Sequence, residues 1–367
     1  MRKATFLSFI ALLITGMILN FFLPKKTVSA TERRTLAVMP KLTVTNVFDG
    51  SYFSKLESYL TDHFNFRDGY RKAKAYANGF VFQKSDDHGI YVYENSAIKM
   101  EYPQSDRQIN GFIEKTNKLI ESYFQDKPVY FSVIPDKNYF AVEETGHLGV
   151  DYSGLIDTIT DGLYADYIDI FPYLSLDKYY ATDTHWKQEA ISDVAIKLAS
   201  GMGNTFPYDF STWKVNEYTN FYGVYFSRAV PPLPADALKW LSSDVTDSAL
   251  VIDYNNGKGE EKSVYNIEKL GGMDSYDVFL SGATPLCTIK NTLNPNGPKL
   301  LIFRDSFGSS IAPLMLAGYS EITLVDTRYI MPDILPEFLN LEDFDSVLFM
   351  YSTSLINQSD ILKKGLE

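Results

Sequence analysis

Apolar positions switch between a helical and a strand-like spacing along much of the chain. A helix with a cap at Ser105 or Asp106 is predicted first, because apolar residues recur every three or four positions after it. A buried strand is predicted next, at 128–135. The succession returns near the end of the chain, with strands predicted at 299–303, 321–325 and 346–351 and a helix at 307–316. This alternation predicts an α/β fold with a mainly parallel sheet and helices on its faces.

Residues 205–295 break the alternation. The stretch 249–267 has the pattern of a β-hairpin, with Asn255, Asn256 and Gly257 in its turn. The stretch 214–227 is aromatic and β-like. We therefore expect a β-rich insertion at 205–295 within the α/β domain.

The N-terminal segment has the pattern of a targeting sequence. An apolar run of about 18 residues, from Phe6 to Leu23, lies between two basic pairs and is barely long enough to cross a bilayer. Basic residues before the run favour a cytoplasmic N-terminus. Val28, Ser29 and Ala30 also fit the small-x-small pattern of a cleavage site. We expect residues 1–30 to be a signal peptide or membrane anchor, with residues 31–367 as one domain outside the cytoplasm.

Composition excludes several classes of function. A formal net charge of -12 argues against nucleic acid as a partner, because binding phosphates needs clustered Lys and Arg. Cys287 is the single cysteine, so an internal disulfide is impossible, and four histidines make a structural zinc site improbable. No glycine-rich nucleotide-binding loop is visible. We predict neither a cofactor nor a metal.

Ser306 follows the predicted strand 299–303 and precedes a predicted helix. Functional groups of open α/β sheets gather at the carboxyl ends of the strands, and a tight turn there can expose a serine hydroxyl. The unpaired N–H groups at the start of the helix could then stabilise an oxyanion. Gly308 would leave room for a substrate to approach. The alternative is that Asp305 or Ser306 only caps the helix, and this stretch alone favours that alternative.

His185 is the leading candidate for the base that a serine nucleophile needs. It lies two residues after Asp183, and in an extended segment both side chains can face the same side. Asp183 could then fix the tautomer of the imidazole and leave its other nitrogen free for Ser306. This geometry requires the next helix to begin after the pair, with Thr184 as a possible cap. Alternatively, Asp183 and Thr184 are caps and His185 is a surface residue.

Two motifs in order carry a resemblance to a known family. The segment TDTHW at 182–186 is followed far downstream by RDSFG at 304–308. This pair resembles the DHHW protein family and the related SGNH-like alginate O-acetyltransferases, in which an Asp-x-His-Trp segment precedes a Gly-Asp-Ser-Phe segment. Three further stretches are similar to family segments in the same order, at 31–42, 59–75 and 325–330.

The resemblance implies a fold and a set of roles. The fold would be a three-layer SGNH-hydrolase-like sandwich that makes residues 31–367 a catalytic domain. Ser306 would be the nucleophile, His185 the base and Asp183 the orienting acid. Arg328 and Lys137 match positions that the family places near its site, where they would bind substrate. A structural ion pair is an equal alternative for both.

The sequence departs from the family pattern at two positions. Arg304 stands where the family has glycine, and Thr184 stands where it has a second histidine. Arg304 could crowd the turn or bind an anionic substrate. The further oxyanion donors of SGNH enzymes have no clear counterpart, and Gly282 and Asn291 are only candidates.

The function implied by the resemblance is an extracytoplasmic serine O-acyltransferase that acetylates a cell-surface or secreted polysaccharide. Since acetyl-CoA is absent outside the cell, a membrane acyltransferase partner would supply the acetyl groups. Two alternatives stay open. The same triad would serve a carbohydrate esterase, and a non-catalytic surface protein could bind glycans through its many Tyr and Phe side chains.

Overall fold

A computed structural model of the chain describes residues 2–22, 25–255 and 257–365. Leu23, at the end of the predicted apolar run, and Asn256, in the predicted hairpin turn, lie outside the described residues. The strands are β1 (Val28–Ser29), β2 (Arg34–Thr35), β3 (Ile90–Tyr93), β4 (Ser96–Lys99), β5 (Val129–Ile134), β6 (Asp166–Tyr167), β7 (Lys214–Phe221), β8 (Asp236–Ser242), β9 (Leu250–Asp253), β10 (Glu260–Lys262), β11 (Leu286–Lys290), β12 (Lys299–Arg304), β13 (Glu321–Val325) and β14 (Ser346–Ser352).

The α-helices alternate with these strands over much of the chain. They are α1 (Arg2–Phe22), α2 (Val44–Phe48), α3 (Ser51–Asp62), α4 (Arg67–Tyr76), α5 (Asp106–Tyr123), α6 (Val142–Thr145), α7 (Tyr152–Gly162), α8 (Ser192–Gly201), α9 (Asp244–Ser248), α10 (Gly308–Met315) and α11 (Thr353–Ile356). A π-helix at Ala77–Val81 continues α4. The predicted helix capped near Ser105 is confirmed as α5, and the predicted strand at 128–135 is confirmed as β5.

One eight-stranded sheet forms the centre of the fold, in the order β10-β9-β11-β13-β12-β14-β5-β6. The five strands from β13 to β6 run parallel to one another. The three at the other edge, β11, β9 and β10, pair in antiparallel fashion. The prediction of a mainly parallel sheet in an α/β fold is therefore confirmed.

Helices cover both faces of this sheet, because its central strands are apolar on both sides. In β14 every residue is buried, and successive side chains alternate between two cores. Leu348 and Met350 pack with α8 and α10 on one face. Val347 and Phe349 pack with α5 and α7 on the other. The result is a three-layer sandwich.

The segment predicted as a β-rich insertion, 205–295, contains five of the strands. β7 and β8 form a separate two-stranded hairpin. The predicted hairpin within 249–267 is formed by β9 and β10, which join the central sheet through β11. This segment therefore both widens the sheet and adds a hairpin beside it.

The N-terminal segment consists of the apolar helix α1 and a small β1–β2 hairpin. Among the described residues, no helix is long and apolar enough to cross a membrane. The hairpin packs onto the α/β domain and carries Arg33 in its turn, with a positive φ of 52°. The proposed cleavage site, Val28 to Ala30, overlaps β1, so the residues around it are part of the folded structure.

The carboxyl ends of four adjacent parallel strands meet at one edge of the sheet. There β12 leads into Asp305 and Ser306, β13 into Asp326, β14 into Thr353 and β5 into Asp136 and Lys137. This is the edge at which open α/β sheets hold their functional groups.

Candidate active site

Ser306 occupies the turn between β12 and α10, and its neighbour Asp305 fixes that turn. One carboxylate oxygen of Asp305 accepts a hydrogen bond from the Phe307 N–H at 3.1 Å. The other accepts from the Ser352 N–H at 2.8 Å, which ties the turn to the end of β14. Asp305 therefore satisfies the backbone at the start of the helix, and the hydroxyl of Ser306 is left for another partner.

That partner is His185. Its Nε2 lies 2.7 Å from Ser306 Oγ, and its Nδ1 lies 2.6 Å from Asp183 Oδ1. Asp183 and His185 are buried, whereas Ser306 is partly exposed. The structure thus brings the three residues predicted for the triad into one hydrogen-bonded chain, in the order that nucleophilic catalysis requires.

Asp183 and His185 face the same side because their segment is not helical. Tyr179 and Trp186 form an isolated antiparallel bridge, and the Tyr180 N–H donates to the His185 carbonyl at 3.0 Å. Helix α8 begins only at Ser192, so the expectation that Thr184 caps it is wrong. A tight loop therefore replaces the first turn of the predicted helix.

Asp236, at the start of β8, anchors the loop that carries Asp183 and His185 through hydrogen bonds to its backbone. Its carboxylate accepts from the N–H groups of Ala181 and Thr182, both at 2.8 Å. The carbonyl of Thr182 in turn lies against Gly223, where an added Cβ would meet that oxygen at 2.2 Å. A glycine is needed at this close approach of two backbones.

The Asp183 carboxylate receives four hydrogen bonds. Oδ1 accepts from the backbone N–H and the ring of His185, and Oδ2 accepts from Val224 N–H at 2.8 Å and Arg33 Nη1 at 2.9 Å. Burial alone would favour the neutral acid, but the charge and hydrogen bonds of His185 and the charge of Arg33 hold the pKa of Asp183 well below its usual range. The carboxylate is therefore ionised and oriented.

An aromatic ring fixes the plane of His185. Tyr276 stacks on the imidazole with 3.9 Å between ring centroids and 11° between planes. The hydroxyl of Tyr276 donates to Ser310 Oγ at 2.8 Å, and Trp186 Nε1 donates to the same oxygen at 2.8 Å. Ser310 completes its bonding by donating to the Phe307 carbonyl at 3.2 Å. One buried hydroxyl thus positions the ring that supports the histidine.

Arg33 links the carboxylate of Asp183 to the short helix that carries Tyr276. It contacts Asp183 through Nη1 and forms an ion pair with Asp274 through Nη2. Asp274 caps the short 3₁₀ helix Ser275–Val278, which carries Tyr276. Sequence reasoning missed both Arg33 and Tyr276, although Arg33 lies in the stretch 31–42 that resembles the family.

Lys137, predicted to bind substrate, lies in the interior beneath the loop that carries Asp183. Its ammonium donates to the carbonyls of Tyr180, Ala181 and Asp183 at 2.8, 3.2 and 3.1 Å. Burial lowers the pKa of Lys137 to about 7, against the opposing effect of nearby carboxylates. Its donors are directed at the backbone, so this position gives it a structural role.

Arg304 is also inside the protein, with no exposed surface. Its Nη1 lies 3.3 Å from the Asp305 carbonyl and 3.6 Å from Asp326 Oδ2, while Nε and Nη2 have no partner among the described residues. An added Cβ at Gly308 would meet the Arg304 side chain at 2.7 Å. Gly308 therefore makes room for Arg304 and not, as predicted, for a substrate. Arg304 neither crowds the turn nor reaches a position where it could bind an anionic substrate.

Arg328 remains the most accessible of the three predicted substrate-binding residues. Its Nε and Nη2 form a bidentate contact with Asp326, at 2.8 and 2.6 Å. The side chain is 19% exposed and lies over the exposed ring of Tyr329. Arg328 is fixed at the sheet edge that holds Ser306, with part of its side chain open to solvent.

Most of the candidate oxyanion donors already have hydrogen-bond partners within the described residues. The N–H groups from Phe307 to Ser310 already bond to Asp305, Ser306 or Phe307. Among the described residues, the Ser306 N–H forms no hydrogen bond and is free to donate. Gly282 donates to the Phe279 carbonyl, so its N–H is occupied. Asn291 follows β11 at the opposite edge of the sheet, where its side chain bonds to Leu316 and Tyr319.

No metal site accompanies this arrangement. In the described part of the chain, no group of three His, Cys, Asp or Glu side chains is placed to hold a metal ion. Cys287 is buried as a free thiol.

Solved structures of other proteins have the same fold. A DHHW family protein from Eubacterium siraeum DSM 15702 superposes with a TM-score of 0.59 at 17% identity, over 76% of this chain and 97% of that one. Bacillus cereus PatB1 with a sulfonyl adduct gives 0.59 at 15% identity, over 73% of this chain and 97% of that one. The O-acetyltransferase domain of Pseudomonas putida AlgJ gives a lower TM-score of 0.45 at 12% identity, over 76% of this chain and 94% of that one.

No protein-family model and no curated protein matches the sequence. The structural neighbours nevertheless confirm the predicted SGNH-hydrolase-like α/β fold and its likeness to a DHHW family protein. At these identities the likeness shows the fold alone, so the case for a function depends on the geometry of the site.

The hydroxyl of Ser310 offers a test of how the site is supported. Ser310→Ala leaves Trp186 Nε1 and the Tyr276 hydroxyl without their acceptor, so the free energy of unfolding should fall by about 2–4 kcal/mol. Ser309→Ala is the control, since Ser309 is also buried but makes no side-chain hydrogen bond within the described residues; its effect should stay below about 1 kcal/mol. Equal effects of the two variants in urea unfolding would contradict the role of Ser310.

The contact between Arg33 and Asp183 predicts a pH-dependent loss of stability. Because the pKa of Asp183 is lowered in the folded chain, its stabilising contribution is present above the unfolded value of 3.8 and is lost as the pH falls through the folded value. Arg33→Gln should therefore lose about 1–3 kcal/mol at pH 7, and this loss should shrink below about pH 4. The exposed pair of Arg107 and Asp360 supplies the control, Arg107→Gln, with no measurable loss. A loss that is independent of pH would show that Arg33 acts through packing and not through charge.

Proposed function

We propose that this protein is an extracytoplasmic serine O-acyltransferase that transfers acetyl groups to a hydroxyl of a cell-surface or secreted polysaccharide. The observation that carries the proposal is the chain of short hydrogen bonds from Ser306 through His185 to Asp183. The class of the proposed reaction, acyl transfer through a serine nucleophile, follows from an activated serine at the open edge of an α/β sheet. Acetyl as the group and a polysaccharide as the acceptor come from the sequence resemblance.

The first half of the reaction forms an acyl-enzyme. Ser306 Oγ attacks the carbonyl carbon of an acetyl ester while His185 Nε2 takes the hydroxyl proton. Asp183 stabilises the imidazolium that forms, and the stacked ring of Tyr276 keeps it in plane. The Ser306 N–H is the donor best placed for the oxyanion. The bond to the leaving group then breaks, and His185 returns the proton to the leaving oxygen.

The second half transfers the acetyl group. A sugar hydroxyl replaces the leaving group, and His185 removes its proton as its oxygen attacks the ester carbon of acetyl-Ser306. Collapse of the tetrahedral intermediate frees Ser306, which recovers the proton from His185. Arg328, which is partly exposed at the same edge, is proposed to contact the acceptor or the donor. Hydrolysis follows the same path with water in place of the sugar.

The proposal includes where the reaction takes place and what supplies it. The N-terminal segment, residues 1–30, is proposed as the signal peptide or membrane anchor that places the domain outside the cytoplasm. A membrane acyltransferase is proposed as the partner that delivers acetyl groups, because acetyl-CoA is a cytoplasmic donor.

Activity with and without a sugar acceptor tests this function. The chain is incubated with a chromogenic acetyl ester, alone and with oligosaccharides, and both acetate and acetylated sugar are measured. Acetylated sugar should form, and Ser306→Ala should reduce its rate by about a thousandfold or more, whereas the neighbouring Ser309→Ala should retain activity.

Two other results would favour a different function. Acetate release that ignores added sugar would make the protein an esterase with the same triad. Folded protein that turns over no acetyl ester, even with a range of acceptors, would overturn the enzymatic proposal and favour a glycan-binding role.

A further inference from the structure

Helix α4 has its polar face turned inward and its aromatic face turned outward, which is the reverse of an ordinary surface helix. The residues that face the protein recur every four positions, at Arg67, Arg71 and Ala75. Both arginines contact Glu32 of the β1–β2 hairpin, at 3.0 Å from Arg67 Nη2 and 3.3 Å from Arg71 Nη1. Ion pairs with the hairpin, and not an apolar core, therefore hold α4 in place.

Neighbouring charges fix the same packing. Arg34 of the hairpin forms a bidentate contact with Asp62 at the end of α3, at 2.9 and 2.5 Å. At the far end of α4, Gly79 lies against Pro231, where an added Cβ would meet the proline at 3.3 Å. The orientation of α4 is thus set at both ends, so its outward face is a fixed surface.

That outward face is aromatic. Phe66 is 76% exposed, Tyr70 62% and Phe80 66%, and Tyr76 stacks on Phe80 with 5.9 Å between ring centroids. Phe64 and Phe82 are also exposed. Such a concentration of exposed aromatic rings on one short stretch of chain, residues 64–82, marks an interaction site rather than ordinary surface.

Basic residues surround the aromatic face. Between 64 and 85 the sequence has one acid, Asp68, and five basic residues: Arg67, Arg71, Lys72, Lys74 and Lys84. The two acids that follow, Asp86 and Asp87, bond to the Gly89 N–H and to the His88 ring. The two arginines are paired, but among the described residues the three lysines form no ion pair. Lys72 also lines an open cleft of about 530 Å³ together with Lys25, Lys26, Phe64 and Phe66. Ammonium groups and exposed rings therefore share one surface.

The same surface lies close to the apolar helix α1. Only residues 23–27 separate Phe22, at the end of α1, from Val28, where the hairpin that holds α4 begins. Such a linker spans at most about 20 Å. The apolar side chains Phe6, Leu7 and Phe9 of α1 are themselves exposed.

We propose that the outward face of α4 and its continuation to Phe82 is a membrane-contact surface that lies in the headgroup region of an anionic lipid bilayer. Aromatic rings favour that region, and lysines around them attract anionic headgroups. A second copy of this chain fits less well, because a two-fold contact through this face would bring Lys72, Lys74 and Lys84 of both copies together. The proposal is independent of the acyl transfer described above, and its test does not measure activity.

A fluorescent label tests the contact directly. Cys287 is the single cysteine and is buried, so a cysteine introduced at the surface can be labelled selectively. Phe80→Cys and Tyr70→Cys report on the α4 face. Leu293→Cys is the control, since Leu293 is 58% exposed and lies beyond β11, at the opposite edge of the sheet from Ser306. Thermal unfolding confirms that each labelled chain is folded.

The full chain is reconstituted into vesicles of phosphatidylcholine and phosphatidylglycerol. The fluorescence of the label is then quenched in separate experiments, by a quencher in the lipid and by a quencher in the water. In the α4 variants, a nitroxide lipid should quench several-fold more strongly than in Leu293→Cys, and aqueous iodide several-fold less. Vesicles of phosphatidylcholine alone should weaken the lipid quenching. Iodide access equal to that of the control would overturn the proposal. Protection from iodide without lipid quenching would also overturn it, because a protein would then cover this face.

Discussion

The geometry of the candidate site depends on one buried carboxylate, Asp183. A carboxylate without solvent is stable only when donors surround it, and Asp183 has four, from His185, Val224 and Arg33. These donors come from three separate parts of the chain: the loop that carries Asp183 itself, the connection between β7 and β8, and the N-terminal β1–β2 hairpin. Satisfying one charge therefore fixes how three segments pack together, and the orientation of His185 toward Ser306 follows from it.

Two buried cations, Lys137 and Arg304, stabilise the backbone around the candidate site. Lys137 binds the carbonyls of the loop that carries Asp183, and Arg304 fills the space behind Ser306 that Gly308 leaves open. Neither side chain is at the surface, so neither adds to the binding of an external substrate. Each fixes a short stretch of irregular backbone whose carbonyls or turn would otherwise lack support. Rigid loops of this kind would hold the three side chains within the narrow limits that the proposed acyl transfer requires.

The sequence predicted those parts of the fold and site that local patterns encode. The parallel strands are short apolar runs, and Asp183, His185 and Ser306 lie in two compact motifs, so the sequence alone was enough to name these three residues. Arg33 and Tyr276 could not, because their contacts join positions far apart in the chain and no spacing links them. The resemblance implies a place near the site for Lys137, and Arg304, where the family has glycine, is a candidate for binding an anionic substrate. The structure has both side chains in the interior, which is rare for charged residues and which no local pattern indicates.

In the proposed reaction, Ser306 carries the acetyl group between donor and acceptor. The most direct measurement is mass spectrometry of the peptide that contains Ser306, after incubation with an acetyl ester and an acid quench. One acetyl group should accumulate on Ser306 in the absence of acceptor and disappear when a suitable oligosaccharide is added. Turnover of the ester by the wild-type chain while Ser306 never becomes acetylated would contradict this role of Ser306.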